Sequence, residues 1–400
     1  MMTLFLVLAG LVTAARLGGA LAQRLGQPTV LGELLVGVLL GPSLLGLVHP
    51  EDPSLHLLSE FGVVILLFQI GLHTDLRQLI KVGGAASAVA GVGVAVPFGL
   101  GFLAAELFGL TLIPALVCGA ALTATSVGIS ARILGDVGEL DSVEGRTVLG
   151  AAVLDDVIGL VILAVVAGMV NGGEISTVGI LKTVALALGF LVVAIVIGRF
   201  VVPRIFAALH NVPVPGTTGA IAVAFALALA AIAEKSGSAP IIGAFAAGLV
   251  LHETPQRQVI EEASAALGHF FVPVFFVSVG AAVDLSAMRD PAALGLGGAL
   301  LAIGIAGKFV AGYAPYWLPM RNAMVGVAMI PRGEVGLIFA QMGLATGALT
   351  PALFGALMMM VIGTTIITPV WLSYLVRGTR GRRGPRSDLG SLDDLVSGER

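Results

Sequence analysis

Charge is the first thing this sequence is short of. Only 11% of its 400 residues are Asp, Glu, Lys or Arg, where a soluble domain carries roughly 25%. Together with 57% hydrophobic residues, that shortage excludes a water-soluble globule. It implies a polytopic membrane protein with little mass outside the bilayer. Cysteine is nearly absent: Cys118 stands alone, which excludes an internal disulfide. No two of the six histidines stand at metal-ligand spacing, so no zinc or iron site, and no cofactor, is expected. The net charge of −3 carries no message about nucleic acid, and no basic run is long enough to bind it. The N-terminal apolar run lacks a basic leader and reads as a first membrane helix rather than a signal peptide.

Long apolar runs are what the sequence does have. Thirteen segments stand out, near 2–22, 28–47, 57–74, 82–108, 112–131, 147–170, 178–206, 216–234, 238–251, 265–282, 292–318, 322–345 and 351–376. Loop charge tests the count independently. With the N-terminus outside, sixteen Lys and Arg, from Arg16 to Arg400, fall on the cytoplasmic side, and only Lys182, Lys235 and Arg289 fall outside. That is the positive-inside bias, and it places the charged tail of residues 377–400 in the cytoplasm.

The chain also repeats itself. Leu66-Leu-Phe-Gln-Ile-Gly-Leu-His-Thr-Asp-Leu76 aligns with Phe275-Phe-Val-Ser-Val-Gly-Ala-Ala-Val-Asp-Leu285, and Ser126-Val-Gly-Ile129 aligns with Glu334-Val-Gly-Leu337, at separations of 209 and 208. Seven segments lie between the copies, so they cross the membrane in opposite directions. An inverted repeat of this kind predicts a site at mid-membrane, built from interrupted helices. Leu122-Thr-Ala-Thr-Ser-Val-Gly-Ile-Ser130 supplies one interruption, with hydroxyls able to satisfy loosened carbonyls. Met329-Ile-Pro-Arg-Gly-Glu-Val-Gly336 supplies the other, since Pro331 removes a helical hydrogen bond. Thr123, Pro331, Arg332 and Glu334 are therefore expected to build the crossover, with Arg332 and Glu334 as its clamp.

Asp155 and Asp156 lie in the apolar run 147–170. A bare carboxylate there costs several kcal/mol, so each must be protonated, paired or bound to a cation. Neighbouring helix residues point about 100° apart, so one can face an aqueous cavity and the other a neighbouring helix. Lys308, in the middle of segment eleven, is the natural counter-charge, because a buried lysine can take or release a proton. Thr125 and Ser126, with the carbonyls around them, are candidate oxygen donors to a hard monovalent cation. His73 and His269 read as satisfied helix histidines, and Glu33 as interfacial or structural. The acidic loop Asp136, Glu139, Asp141 and Glu144 reads as a solvated turn, or as a device concentrating cations at an entrance. An intramembrane aspartyl protease needs carboxylates converging from two helices, and these are adjacent on one. A buried lysine–acid pair also disfavours a passive channel.

Taken together, Val153-Leu-Asp-Asp156, Lys308, Thr123-Ala-Thr-Ser-Val-Gly128, Pro331-Arg-Gly-Glu-Val-Gly-Leu-Ile338 and Pro240-Ile-Ile-Gly-Ala-Phe245 resemble the second monovalent cation:proton antiporter family, from about Gln27 to Pro369. The resemblance implies an all-helical membrane fold of about thirteen crossings with two crossed, discontinuous helices. It implies an ion-transport bundle near 57–170 and 265–376 that moves elevator-fashion against a dimerisation bundle near 1–50 and 178–251. A homodimer in a bacterial inner membrane follows. It makes Asp156 the carrier of Na⁺ and H⁺, pairs Asp155 with Lys308, and predicts electrogenic exchange of Na⁺ or Li⁺ for H⁺, with K⁺/H⁺ exchange as the alternative. With so short a tail after Arg377, the nucleotide-binding domain that potassium-efflux relatives usually carry is not expected.

Overall fold

The structure, a computed structural model, describes residues 2–49, 51–170, 177–209, 216–236, 240–282, 291–332, 336, 339–340, 343–344 and 346–380. Among these residues every regular element is a helix. In chain order they are α1 Met2–Arg24, α2 Thr29–Leu40, α3 Pro53–His73, α4 Leu76–Lys81, α5 Gly83–Leu107, α6 Leu112–Ala121, α7 Val127–Asp136 and α8 Val143–Val170. There follow α9 Thr177–Leu209, α10 Thr217–Lys235, α11 Pro240–His252, α12 Arg257–Ala281, α13 Pro291–Ala311, α14 Asn322–Ala328 and α15 Pro351–Arg380. Glu334 and Asp284, both named in the sequence reading, lie outside the described residues, as does the tail beyond 380.

Local signals explain where these helices start and stop. Asp52 caps α3, accepting from the Ser54 and Leu55 amides at 2.8 and 3.2 Å, and Pro53 takes the first helical position, where its missing N–H costs nothing. α2 stops at Leu40, well short of the apolar run to residue 47, because Pro42 cannot continue the helix and the chain turns back through Gly46. Seven helices among the described residues are long and apolar enough to cross a membrane. The outward faces of these helices and of α9 carry large apolar side chains such as Leu21, Leu103, Val193 and Phe200, all more than half-exposed. Such a surface is an aggregation hazard in water and the normal state in lipid.

The chain divides into two compact units: residues 1–17, 33–76 and 176–282, and residues 18–32, 77–175 and 283–400. This departs from the expected bundles at three places. Residues 57–76 and 265–282, expected in the ion-transport bundle, fall in the first unit with α3 and α12, and residues 18–32, expected in the dimerisation bundle, fall in the second. Small residues explain how α3 packs within the first unit. A Cβ on Gly71 would meet the Phe245 carbonyl oxygen at 2.2 Å, and one on Gly248 would meet that of Phe68 at 2.2 Å, so α3 and α11 lie backbone to backbone. Gly62 likewise admits the Phe271 carbonyl of α12.

Candidate functional site

Two interrupted stretches in the second unit build the site. α6 ends at Ala121 and α7 begins at Val127, with Ser126 extended before it. α14 ends at Ala328, and residues 330–332 are not helical. These loosened peptides satisfy one another. The Ser126 amide donates to the Pro331 carbonyl at 2.9 Å, and Ser130 Oγ donates to the Ala328 carbonyl at 2.7 Å. Thr123 Oγ1 turns back onto the Ala120 carbonyl at 2.7 Å, and Thr365 Oγ1 donates to the Arg332 carbonyl. Buried backbone groups cannot be left bare at membrane depth, so hydroxyls and the opposite interrupted segment take the place of the missing helical bonds.

Arg332 is wholly buried and donates to carbonyls at two helix ends: Nη2 to Leu122 at 2.6 Å, after α6, and Nη1 to Ile330, with Met329 at 3.4 Å, after α14. A cation is well placed there, because the C-terminus of each helix carries partial negative charge. Arg332 was expected as one half of a clamp; Glu334, expected to share it, lies outside the described residues.

The charged centre lies on α8 and α13. Lys308 Nζ donates to Asp155 Oδ2 at 2.5 Å, with both side chains at 0% exposure. Thr125 Oγ1 donates to the same Oδ2 at 2.7 Å. Asp156, one residue on, is buried too, with 4% of its surface exposed. Sequence reasoning missed Gly93 of α5: a Cβ there would stand 3.2 Å from Lys308 Nζ, so the glycine makes room for the ammonium. Nothing in an alanine- and glycine-rich span marks that position from sequence. Thr125, expected to offer oxygen to a cation, has its hydroxyl directed at Asp155.

The acidic loop departs from expectation. Glu139 and Glu144 are buried, at 8% and 7% exposure, and both bind Arg321. Glu144 Oε1 accepts from the Arg321 amide and Nε, each at 2.9 Å, while Nη2 reaches Glu139 Oε2 at 2.5 Å. Burial alone would raise the Glu144 carboxyl, but the hydrogen bonds and charge of Arg321 bring it below the usual carboxylate value. The Arg321 guanidinium is raised in turn, by its hydrogen bonds to Glu139 and then Glu144. Asp136 pairs with Arg132 at 3.3 Å and accepts from Thr29 Oγ1 at 2.6 Å, at the start of α2. Glu33, expected to be interfacial or structural, is wholly buried. His73 is satisfied, between the Gln69 carbonyl at 2.7 Å and Glu261 at 2.6 Å; His269 is exposed.

A helical membrane chain with a buried ion pair between two interrupted segments defines a class, the multi-pass ion transporters. Within it the sequence matches the transmembrane region of sodium/hydrogen exchangers over residues 11–378, and the chain belongs to that family. It is similar to the high-affinity Na⁺/H⁺ antiporter NhaS3 of Synechocystis, at 40% identity across 97% of this chain and 94% of that protein. It is also similar to the Na⁺/H⁺-K⁺ antiporter GerN of Bacillus cereus, at 35% identity across 92% of this chain and 95% of that one. The structure of the sodium proton antiporter MjNhaP1 from Methanocaldococcus jannaschii shares the fold, with a TM-score of 0.70 over 94% of this chain and 98% of that one, at 17% identity.

Proposed function

We propose that this chain is a secondary antiporter that exchanges Na⁺, or Li⁺, for H⁺ across a bacterial inner membrane. The carrying observation is the 2.5 Å contact between Lys308 Nζ and Asp155 Oδ2, both fully buried, beside the buried Asp156. Three charges held together out of water must change occupancy together. Deprotonated Asp156 takes the cation, with Ser126 and nearby carbonyls completing its shell. Protonation of Asp156 and closure of the Asp155–Lys308 pair expel it. Competition for one site then couples the two fluxes, and a lysine that can shed its proton makes the exchange electrogenic.

The family and the names of its relatives support the Na⁺/H⁺ reading. The motif likeness to the bacterial antiporter NapA, the double aspartate with a membrane lysine, supports electrogenic, elevator-type exchange. We assign thirteen crossings in an inverted repeat, with residues 112–131 and 322–345 as the crossed segments, the N-terminus outside and the C-terminus cytoplasmic. The bundle near 57–170 and 265–376, which holds Asp155, Asp156 and Lys308, carries the ions; the bundle near 1–50 and 178–251 is the scaffold and forms the homodimer. GerN's name couples Na⁺ and K⁺, which keeps K⁺/H⁺ exchange as the second reading. Na⁺, Li⁺ and K⁺ titrations in the same proteoliposomes decide between them. Asp156→Asn should abolish Na⁺-driven proton flux; retained flux would remove Asp156 from the carrier role.

A further inference from the structure

The Thr125 hydroxyl has one proton and two acceptors. Its Oγ1 lies 2.7 Å from Asp155 Oδ2 on α8 and 3.2 Å from the Met329 carbonyl, at the end of α14. With Asp155 ionised and paired, the shorter, charge-assisted bond takes the proton. The Met329 carbonyl then accepts only at length, from Arg332 Nη1 at 3.4 Å among its side-chain donors. Asp155 Oδ2 in turn accepts from Thr125 and Lys308 together. Turning the hydroxyl from one acceptor to the other needs rotation about a single bond and no movement of the backbone.

We propose that Thr125 is a positioning residue with two settings. While the Asp155–Lys308 pair is closed, its hydroxyl donates to Asp155. When the pair opens, the hydroxyl turns to the Met329 carbonyl, so the state of α8 is felt at the interruption after α14. The proton stays on Thr125 throughout, and no bond is made or broken but the hydrogen bond. This rests on the antiport reading and gives Thr125 a task other than holding the cation.

Thr125→Val, which keeps the shape and removes the hydroxyl, and Thr125→Ser, which keeps the hydroxyl, test it in proteoliposomes. Loss of a hydrogen bond to a charged group should lower turnover about tenfold in the valine variant, with the KM for Na⁺ within about threefold of the parent. The serine variant should recover most of the turnover. In a Lys308→Ala background, where the pair is already gone, Thr125→Val should change Na⁺-induced thermal stabilisation in detergent by less than about twofold. A KM for Na⁺ and Li⁺ raised tenfold with turnover intact would make Thr125 a cation ligand and overturn the proposal. So would a valine variant equal to the parent. The parent protein is measured first: absence of Na⁺-driven proton flux there refutes the antiport reading instead, a separate outcome.

Discussion

Asp155→Asn would leave the wholly buried Lys308 ammonium facing a neutral amide. Breaking one side of a buried pair costs about 3–5 kcal/mol, whereas replacing both partners by apolar groups of similar size is often neutral. Asp155→Asn should therefore melt lower in detergent than the double variant Asp155→Asn/Lys308→Met, and a double variant that melts lower still would contradict the pairing. Lys308 and the two aspartates were legible from sequence because an ionised side chain amid twenty apolar neighbours has few roles open to it. Gly93 was not, since what matters there is the absence of a side chain against an ammonium two hundred residues away. The Thr125 oxygen was legible as a donor, but its partner was not.

At the scale of elements, the interruptions were readable because each carries its own chemistry. Thr123, Thr125, Ser126 and Ser130 supply hydroxyls where α6 gives way to α7, and Pro331 stands where the chain stays non-helical after α14. The Arg321 cluster was not readable: Glu139 and Glu144 lie 182 and 177 residues from their partner, and an acidic loop looks the same whether solvated or claimed. Because Glu144 sits below its ordinary value of 4.5 in the folded protein, its contribution to stability is present above that pH. It is lost as pH falls through the folded value. Glu144→Gln should cost about 1.5–3 kcal/mol near neutral pH, with the gap to the parent closing below about pH 4.5. Melting curves from pH 3 to 8 check this, and a gap independent of pH would contradict it. The α13–α14 contact is a second test. A Cβ on Gly326 would meet the Phe309 carbonyl at 2.3 Å, so Gly326→Val should push α13, and Lys308 with it, out of register. Exchange should fall at least tenfold, while Gly91→Ala, with open space around it, leaves it unchanged.

For the molecule as a whole, hydropathy marked the long apolar helices, seven among the described residues, because burial in lipid is a sum over some twenty residues and tolerates local error. Which segments form a unit is decided elsewhere, by a few glycines that let backbones touch. Gly71 and Gly248 let α3 lie against α11 in a way no average over the chain records. The functional reading rests on one claim, that cation and proton compete for a single buried carboxylate beside an ion pair. The most direct measurement loads the purified protein into proteoliposomes, imposes a Na⁺ gradient with no pH difference, and follows internal pH. The account predicts proton movement against its own rising gradient in the parent and none in Asp156→Asn. Equal proton flux in the two, or none in a folded, correctly inserted parent, would contradict it.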